Sequence, residues 1–290
     1  MEAQSDVLNG AQLITLPSDD TKQLDQRDGR AVVRRPWTTH IPDLRPLALP
    51  VLLVAAWEGL SHSGLVKPVI APAVETIVAT TYTAVVSGDL WLNSWATIQR
   101  ILAGFAIAGV LGIAVGIACA LSRWFDRLVG GPLTAIRQVP LFGWIPLIAV
   151  LAGIGEGSKL AFVVLAAFYP VALNTTDAIR NAPAELVEVG RVLRFSRWQL
   201  LRRVLLPSAL PGILTGLKHG LNFAGVAVVT AEVFMTASPG LGNLLEYGQT
   251  NLRTDLVLLG VAAIGLIGFV LNLIIDRVAA RLLRWRTVAR

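Results

Sequence analysis

Several residues in this sequence have types and spacings that suggest chemistry, and most of them fail on inspection. Gly153-Ile154-Gly155-Glu156-Gly157-Ser158-Lys159 has the glycines of a loop that cradles phosphate. A Walker A loop, however, needs glycine directly before its lysine, and here Ser158 stands there. His40, His62 and His219 lie in separate regions without metal-ligand spacing, so no metal site is expected. Nothing resembles a nucleophile elbow or a pair of catalytic carboxylates. Any ATP hydrolysis tied to this chain therefore belongs to another polypeptide. What remains is electrostatic chemistry. Arg100, Arg137, Glu232 and Thr236 fall in or beside apolar stretches, with Glu58 and Asn174 as weaker members of the set. A polar side chain at membrane depth is costly unless it is paired or wet, so each marks either a solute path or a structural pair. Arg100 and Arg137 suit a basic lining that attracts an anion, or snorkel to an interface. Glu232 suits the path, or a partner for Arg100 or Lys218. Gly240-Leu241-Gly242 forms a turn that suits a gate or a plain connection.

The elements that must hold these residues are membrane helices. Of the 290 residues 54% are apolar and 15% charged, against about 45–50% and about 25% in soluble domains. A globule of this size cannot bury so much apolar surface, which excludes a soluble enzyme, a disordered chain and a disulfide scaffold. The single cysteine, Cys119, has no partner within the chain. A net charge of +6 would suggest nucleic acid in a soluble protein. In a membrane chain basic residues mark cytoplasmic loops, and no nucleic-acid partner is expected.

Apolar runs predict six spans: Leu47–Leu60, Trp95–Leu121, Leu133–Leu151, Leu160–Leu173, Leu210–Met235 and Leu256–Ile275. Pro140 and Pro146 should kink the third span and place it inside the assembly, where freed backbone groups are covered. Ala108, Gly112, Gly116 and Ala120 form a small-residue stripe on the second span, suited to close helix packing. Arginines crowd alternate loops, around Arg34, Arg123, Arg197 and Arg281, whereas the other loops hold only Lys67, Lys159 and Arg253. Both termini are then cytoplasmic. The expected organisation is an all-α integral membrane protein. It has a polar cytoplasmic tail over 1–45, a transmembrane domain over 46–286 with a cytoplasmic loop at 176–207, and a short tail over 287–290. No apolar core of signal-peptide length lies in the first tail.

The long basic loop is the most informative segment. Leu186, Val189, Val192 and Leu193 recur at helical spacing, a turn follows near Phe195–Ser196, and a second helical piece, Trp198–Leu206, runs into Pro207. An apolar stripe facing the cytoplasm suits docking into a partner's groove. This loop resembles the EAA signature of binding-protein-dependent ABC importer permeases. Glu188-Val189-Gly190 stands at its Glu-Ala-Ala triplet, Arg194 at its glycine, and Val204-Leu205-Leu206-Pro207 at its closing Ile-x-Leu-Pro. Arg137-Gln138-Val139-Pro140, Trp144-Ile145-Pro146, Ala231-Glu232 and Gly240-Leu241-Gly242 resemble the branch that imports nitrate, sulfonates, taurine or bicarbonate.

The resemblance covers roughly residues 48–286 and implies a type I importer permease in a bacterial inner membrane. It works as a homodimer with two ATP-binding subunits and an extracytoplasmic solute-binding protein. This chain would carry no cofactor of its own, since ATP and Mg would be bound by the partner ATPase. The coupling residues would be Leu186, Glu188, Val189, Gly190, Leu193, Arg194, Val204, Leu206 and Pro207. The path or gate would involve Arg100, Arg137, Glu232, Thr236, Gly240, Leu241 and Gly242. The rival class is an ion-gradient-driven secondary transporter, which would cluster acidic residues at mid-membrane on broken helices. A membrane-embedded enzyme would need a His or carboxylate constellation that the sequence lacks.

Overall fold

A computed structural model describes residues 45–235 and 238–284, with the side chains of 45–48 and 50 left aside. The expected tails, Thr236 among the path residues, and the last basic residues fall outside that range. The chain divides into two units, 1–50 and 51–290. Among the described residues the regular elements are helices: α1 (Arg45–His62), α2 (Val74–Val86), α3 (Asp89–Leu121), α4 (Arg123–Gln138), α5 (Trp144–Ala152), α6 (Glu156–Arg180), α7 (Ala184–Val192), α8 (Arg197–Leu200), α9 (Leu206–Phe234), α10 (Leu241–Thr250) and α11 (Thr254–Leu282).

Four helical runs are long and apolar enough to cross a membrane: α3, α6, Arg197–Phe234 and α11. The pair formed by α4 and Leu141–Ala152 makes a fifth if it counts as one bent span. Of the expected six spans, four to five are found among the described residues. The apolar part of α1 described here, Val51–His62, is shorter than the ~20 residues that a bilayer requires.

The third span departs from expectation in both start and shape. Its helix begins at Arg123, and the chain turns by 100° before the segment from Leu141. Proline chemistry explains the break. Pro140 disfavours helical backbone at the residue before it, and Val139 is accordingly extended at φ −76°, ψ 124°. Pro146 does not kink a helix, because it is the third residue of α5, in the first turn, where no backbone N–H is required. The sequence reading passed over α2, whose 13 residues include Glu75 and several threonines. It is fastened to α11 by the Thr80 hydroxyl, which donates to Asp255 Oδ2 at 2.6 Å. Asp255 also pairs with Arg253 at 2.6 Å, and that hydrogen bond holds the Arg253 guanidinium above its ordinary pKa.

α6 is the central helix, packed between α3 and α9. Phe162, Val163, Ala166, Ala167 and Val171 are fully buried. The small-residue stripe explains how α3 comes so close. A Cβ on Gly112 would lie 2.8 Å from Val171 Cβ, and one on Gly116 would lie 2.6 Å from Thr175 Cβ. α9 approaches the opposite side in the same way, with Gly216 facing Asn174. Without a hydrophobic drive between helices in lipid, such backbone approach supplies the van der Waals contact that holds them. This core joins the two regions of functional interest. The loop 184–205 lies at one end of α6 and α9, and Lys159 and Glu232 lie at the other.

Candidate functional site

The loop region folds as the pattern dictates. α7 ends in a paired turn: the Phe195 N–H donates to Gly190 O at 3.0 Å and the Arg194 N–H to Arg191 O at 2.9 Å. This 6→1 and 5→2 pairing needs a left-handed residue after the helix, and Arg194 takes it at φ 53°. The turn expected at the signature glycine therefore forms with arginine in its place. Gly190 stands where a small residue is required, since a Cβ there would lie 2.7 Å from Leu200 Cδ1. The chain restarts through a reciprocal cap, in which Ser196 N–H donates to Gln199 Oε1 at 2.8 Å and Gln199 N–H to Ser196 Oγ at 3.3 Å. A π-turn over Leu201–Leu205 leads into α9, with Pro207 in its first turn. Arg203 sits over the Phe195 ring, 5.6 Å from its centroid.

The outer face of α7 has no cover among the described residues. Leu186, Val189 and Leu193 are 48%, 57% and 60% exposed, and Glu188 is exposed beside them. A hollow of about 320 Å³ adjoins them, lined in part by Phe195, Val204 and Pro207. Just before the loop, Arg180 pairs with Asp126 at 2.8 Å and donates to Cys119 O at 3.0 Å. These contacts brace the end of α6 against the turn between α3 and α4.

At the opposite end an ion-pair network gathers α3, α6, α9 and the segment 238–242. Glu232 is fully buried, and its carboxylate accepts from Arg100 Nη1 at 2.6 Å, from the Thr97 hydroxyl at 2.9 Å and from the Gly242 N–H at 2.8 Å. Arg100 grips Glu156 with two nitrogens, Nε at 2.7 Å and Nη2 at 2.8 Å. It also donates to Pro239 O at 2.8 Å and to Ser238 Oγ at 3.1 Å. The Ser238 hydroxyl donates to Glu156 Oε1 at 2.8 Å, while the buried Lys159 ammonium donates to the Ser238 oxygen. The segment is pinned further where Gly240 N–H meets Asn93 Oδ1 at 2.7 Å and Leu241 N–H meets Thr97 Oγ1 at 3.0 Å. Gly240 has to be glycine, because a Cβ there would sit 2.5 Å from Glu232 Cδ.

Of the predicted path residues, Arg100, Glu232, Gly240, Leu241 and Gly242 thus converge. Arg137 does not join them. It is exposed at the end of α4 and lines a separate small hollow with Pro140, Trp144, Tyr169 and Phe223, so a shared basic lining with Arg100 is not formed. Lys218 pairs with Asp276 instead of Glu232. Glu58 accepts from the Val74 N–H that opens α2, at 3.1 Å, and Asn174 donates to Pro170 O of its own helix at 2.7 Å. Asn93, Thr97, Glu156, Lys159 and Ser238 were passed over in the sequence as members of this network. Asn93, Thr97 and Arg100 recur at i, i+4 and i+7, a polar stripe that the helical period alone would have shown. Glu58, His62 and Glu75 bring one ligand atom each within 4.8 Å of one another, close enough to share a cation. Their spread over two helices hid this grouping in the sequence.

The comparisons with known proteins agree with this architecture. The family model described as the inner membrane component of binding-protein-dependent transport systems matches residues 112–288. A protein named as an aliphatic sulfonates transport permease in Bacillus subtilis is 31% identical over 263 residues, covering 91% of this chain and 95% of that one. The taurine transport permease of Escherichia coli is 32% identical, covering 81% and 86%. The riboflavin transport permease of Chloroflexus aurantiacus is 32% identical, covering 83% and 89%. Among solved structures, an inward-facing MetNI methionine ABC transporter superposes with a TM-score of 0.58 at 21% identity, covering 66% of this chain and 96% of that one. That likeness shows the fold. The family match and the long alignments above 30% identity settle the rest: the chain belongs to the binding-protein-dependent transport system inner membrane components, the permease subunits of ABC importers, in the branch that holds the sulfonate and taurine permeases.

Proposed function

We propose that this permease conducts a small solute into the cytoplasm and couples that movement to ATP hydrolysis on a separate chain through residues 184–207. The observation that carries the proposal is the uncovered apolar face of α7, Leu186, Val189 and Leu193, held at a fixed angle by the Arg194 turn. Two copies form the conducting unit in a bacterial inner membrane, with both termini cytoplasmic. Each copy docks α7 into an ATP-binding subunit that binds ATP and Mg, and an extracytoplasmic protein delivers the solute. Residues 1–45 and 287–290 are tails flanking the transmembrane domain.

When the ATP-binding subunits close, the paired loops move together and α9 carries the movement to the ion-pair network. Glu232, Arg100 and the 238–242 segment act there as the outer gate. The solute is an anion of the sulfonate, taurine, nitrate or bicarbonate kind. Support comes from the names of two relatives, the sulfonate and taurine permeases. Gradient-driven transport is disfavoured, since its coupling carboxylates are spoken for: Arg100 pairs with Glu232, and Glu58 caps α2.

The test is Val189→Asp. A carboxylate on that stripe must be desolvated on docking, at a cost of several kcal/mol. Co-purification with the ATP-binding subunit should be lost, or hydrolysis uncoupled from uptake, while the permease still inserts. Normal coupling would reduce the loop to a topological anchor.

A further inference from the structure

Below the ion-pair network, α3, α9 and α11 line a half-open hollow of about 410 Å³ whose lining contains no charged side chain. Its polar residues are Thr97, Asn222, Thr230 and Asn272. Two of these are already committed as donors, Thr97 to Glu232 and Thr230 to Val226 O. The amides differ. Asn272 Nδ2 donates to Asn222 Oδ1 at 2.9 Å and to Gly268 O at 3.0 Å. Asn222, near the middle of α9, is exposed on this face of the chain, and its amide accepts from Asn272 while its nitrogen keeps no partner among the described residues. An unsatisfied amide at that depth is costly against lipid and is normal against water or solute. Gly225 and Gly268 also line the space, and a Cβ on either would meet nothing within 4 Å. Through Thr97 the hollow is continuous with the network above it.

We infer that this hollow is the chamber in which solute rests during passage, and that it takes an organic solute with an apolar body and one hydrogen-bonding head. The inference rests on the reading of the chain as an importer permease. A bare inorganic oxyanion would have to shed its hydration for a single amide pair with no cation in the wall. An alkyl chain is instead favoured by the apolar lining, and a few placed polar groups orient its head, as in ligand sites generally.

Gly225→Cys and Gly268→Cys, each in a Cys119→Ser background of the complete transporter, test this with the charged reagent 2-sulfonatoethyl methanethiosulfonate. Both thiols should be modified. Hexanesulfonate should slow the reaction several-fold, and nitrate at equal concentration should leave it unchanged. No modification would assign the hollow to lipid or to a second copy. Equal protection by nitrate would make it a plain anion site, and protection by neither would make it wet but empty of solute; each of these overturns the inference. Hexanesulfonate uptake in the same cells, with and without Val189→Asp, separates the two readings. Uptake that ignores Val189→Asp removes the coupled-importer reading whatever the thiols do, whereas uptake that depends on it, with unreactive thiols, removes only the chamber.

Discussion

Glu232 concentrates the energetics of the end opposite the 184–205 loop in one side chain. It is fully buried and accepts from a guanidinium, a hydroxyl and a backbone N–H. Glu232→Gln keeps the shape and removes the charge, so Glu156 is left as the one carboxylate paired with Arg100. Breaking a buried pair costs about 3–5 kcal/mol, and the lower end applies because the second carboxylate remains. Thermal unfolding of the purified permease should fall accordingly, and uptake should be lost. Normal uptake at normal membrane levels would make Glu232 an incidental packing residue. Gly242→Ala should have a comparable effect without touching charge, since its Cβ would lie 2.6 Å from Glu232 Cβ and 2.7 Å from Val229 O. At this scale the sequence revealed Glu232 and Arg100, because a charge inside an apolar run stands out. Glu156 and Lys159 were weighed only as part of a phosphate loop and not as partners of Arg100 and Glu232, because they sit at a helix start, where charges are ordinary.

The helices show which patterns survive translation into three dimensions. The stripe on α3 was legible, because a four-residue spacing of small side chains has one physical use in a membrane. Gly116→Val should therefore prevent assembly of α3 on α6, and little folded protein should be recovered from the membrane. Gly265→Ala, on α11 with nothing within 4 Å, should express like the parent. The bend between α4 and α5 was only half legible. The rule that proline breaks helices located it near Pro140, but it treated Pro146 alike, although a proline in a first turn is harmless. α2 was missed because its apolar content is diluted by threonine and its length falls short of a span. In the 184–205 loop, Arg194→Gly should slow hydrogen exchange of the Phe195 N–H, because a left-handed arginine costs roughly 1 kcal/mol relative to glycine.

For the molecule as a whole, alternating basic loops predict which ends face the cytoplasm. Single cysteines at Ser87 and Arg197, in a Cys119→Ser background, should separate cleanly with an impermeant maleimide. Residue 87 should label in intact cells, and residue 197 only after lysis. Labelling of intact cells at 197 would invert the orientation.

The run Arg197–Phe234 qualifies as a single helical stretch, passing from the foot of the docking loop to the buried carboxylate at the far end. At about 1.5 Å per residue it spans some tens of ångströms, with the π-turn over Leu201–Leu205 near its start, and such a run suits a pushrod that passes displacement from one end to the other. Free-energy coupling of this kind runs equally in both directions. On the proposed docking of α7 to an ATP-binding subunit, loosening the distant clasp alters how readily nucleotide is bound at the other end. Glu232→Gln should shift the nucleotide affinity of the assembled complex even when no solute is present.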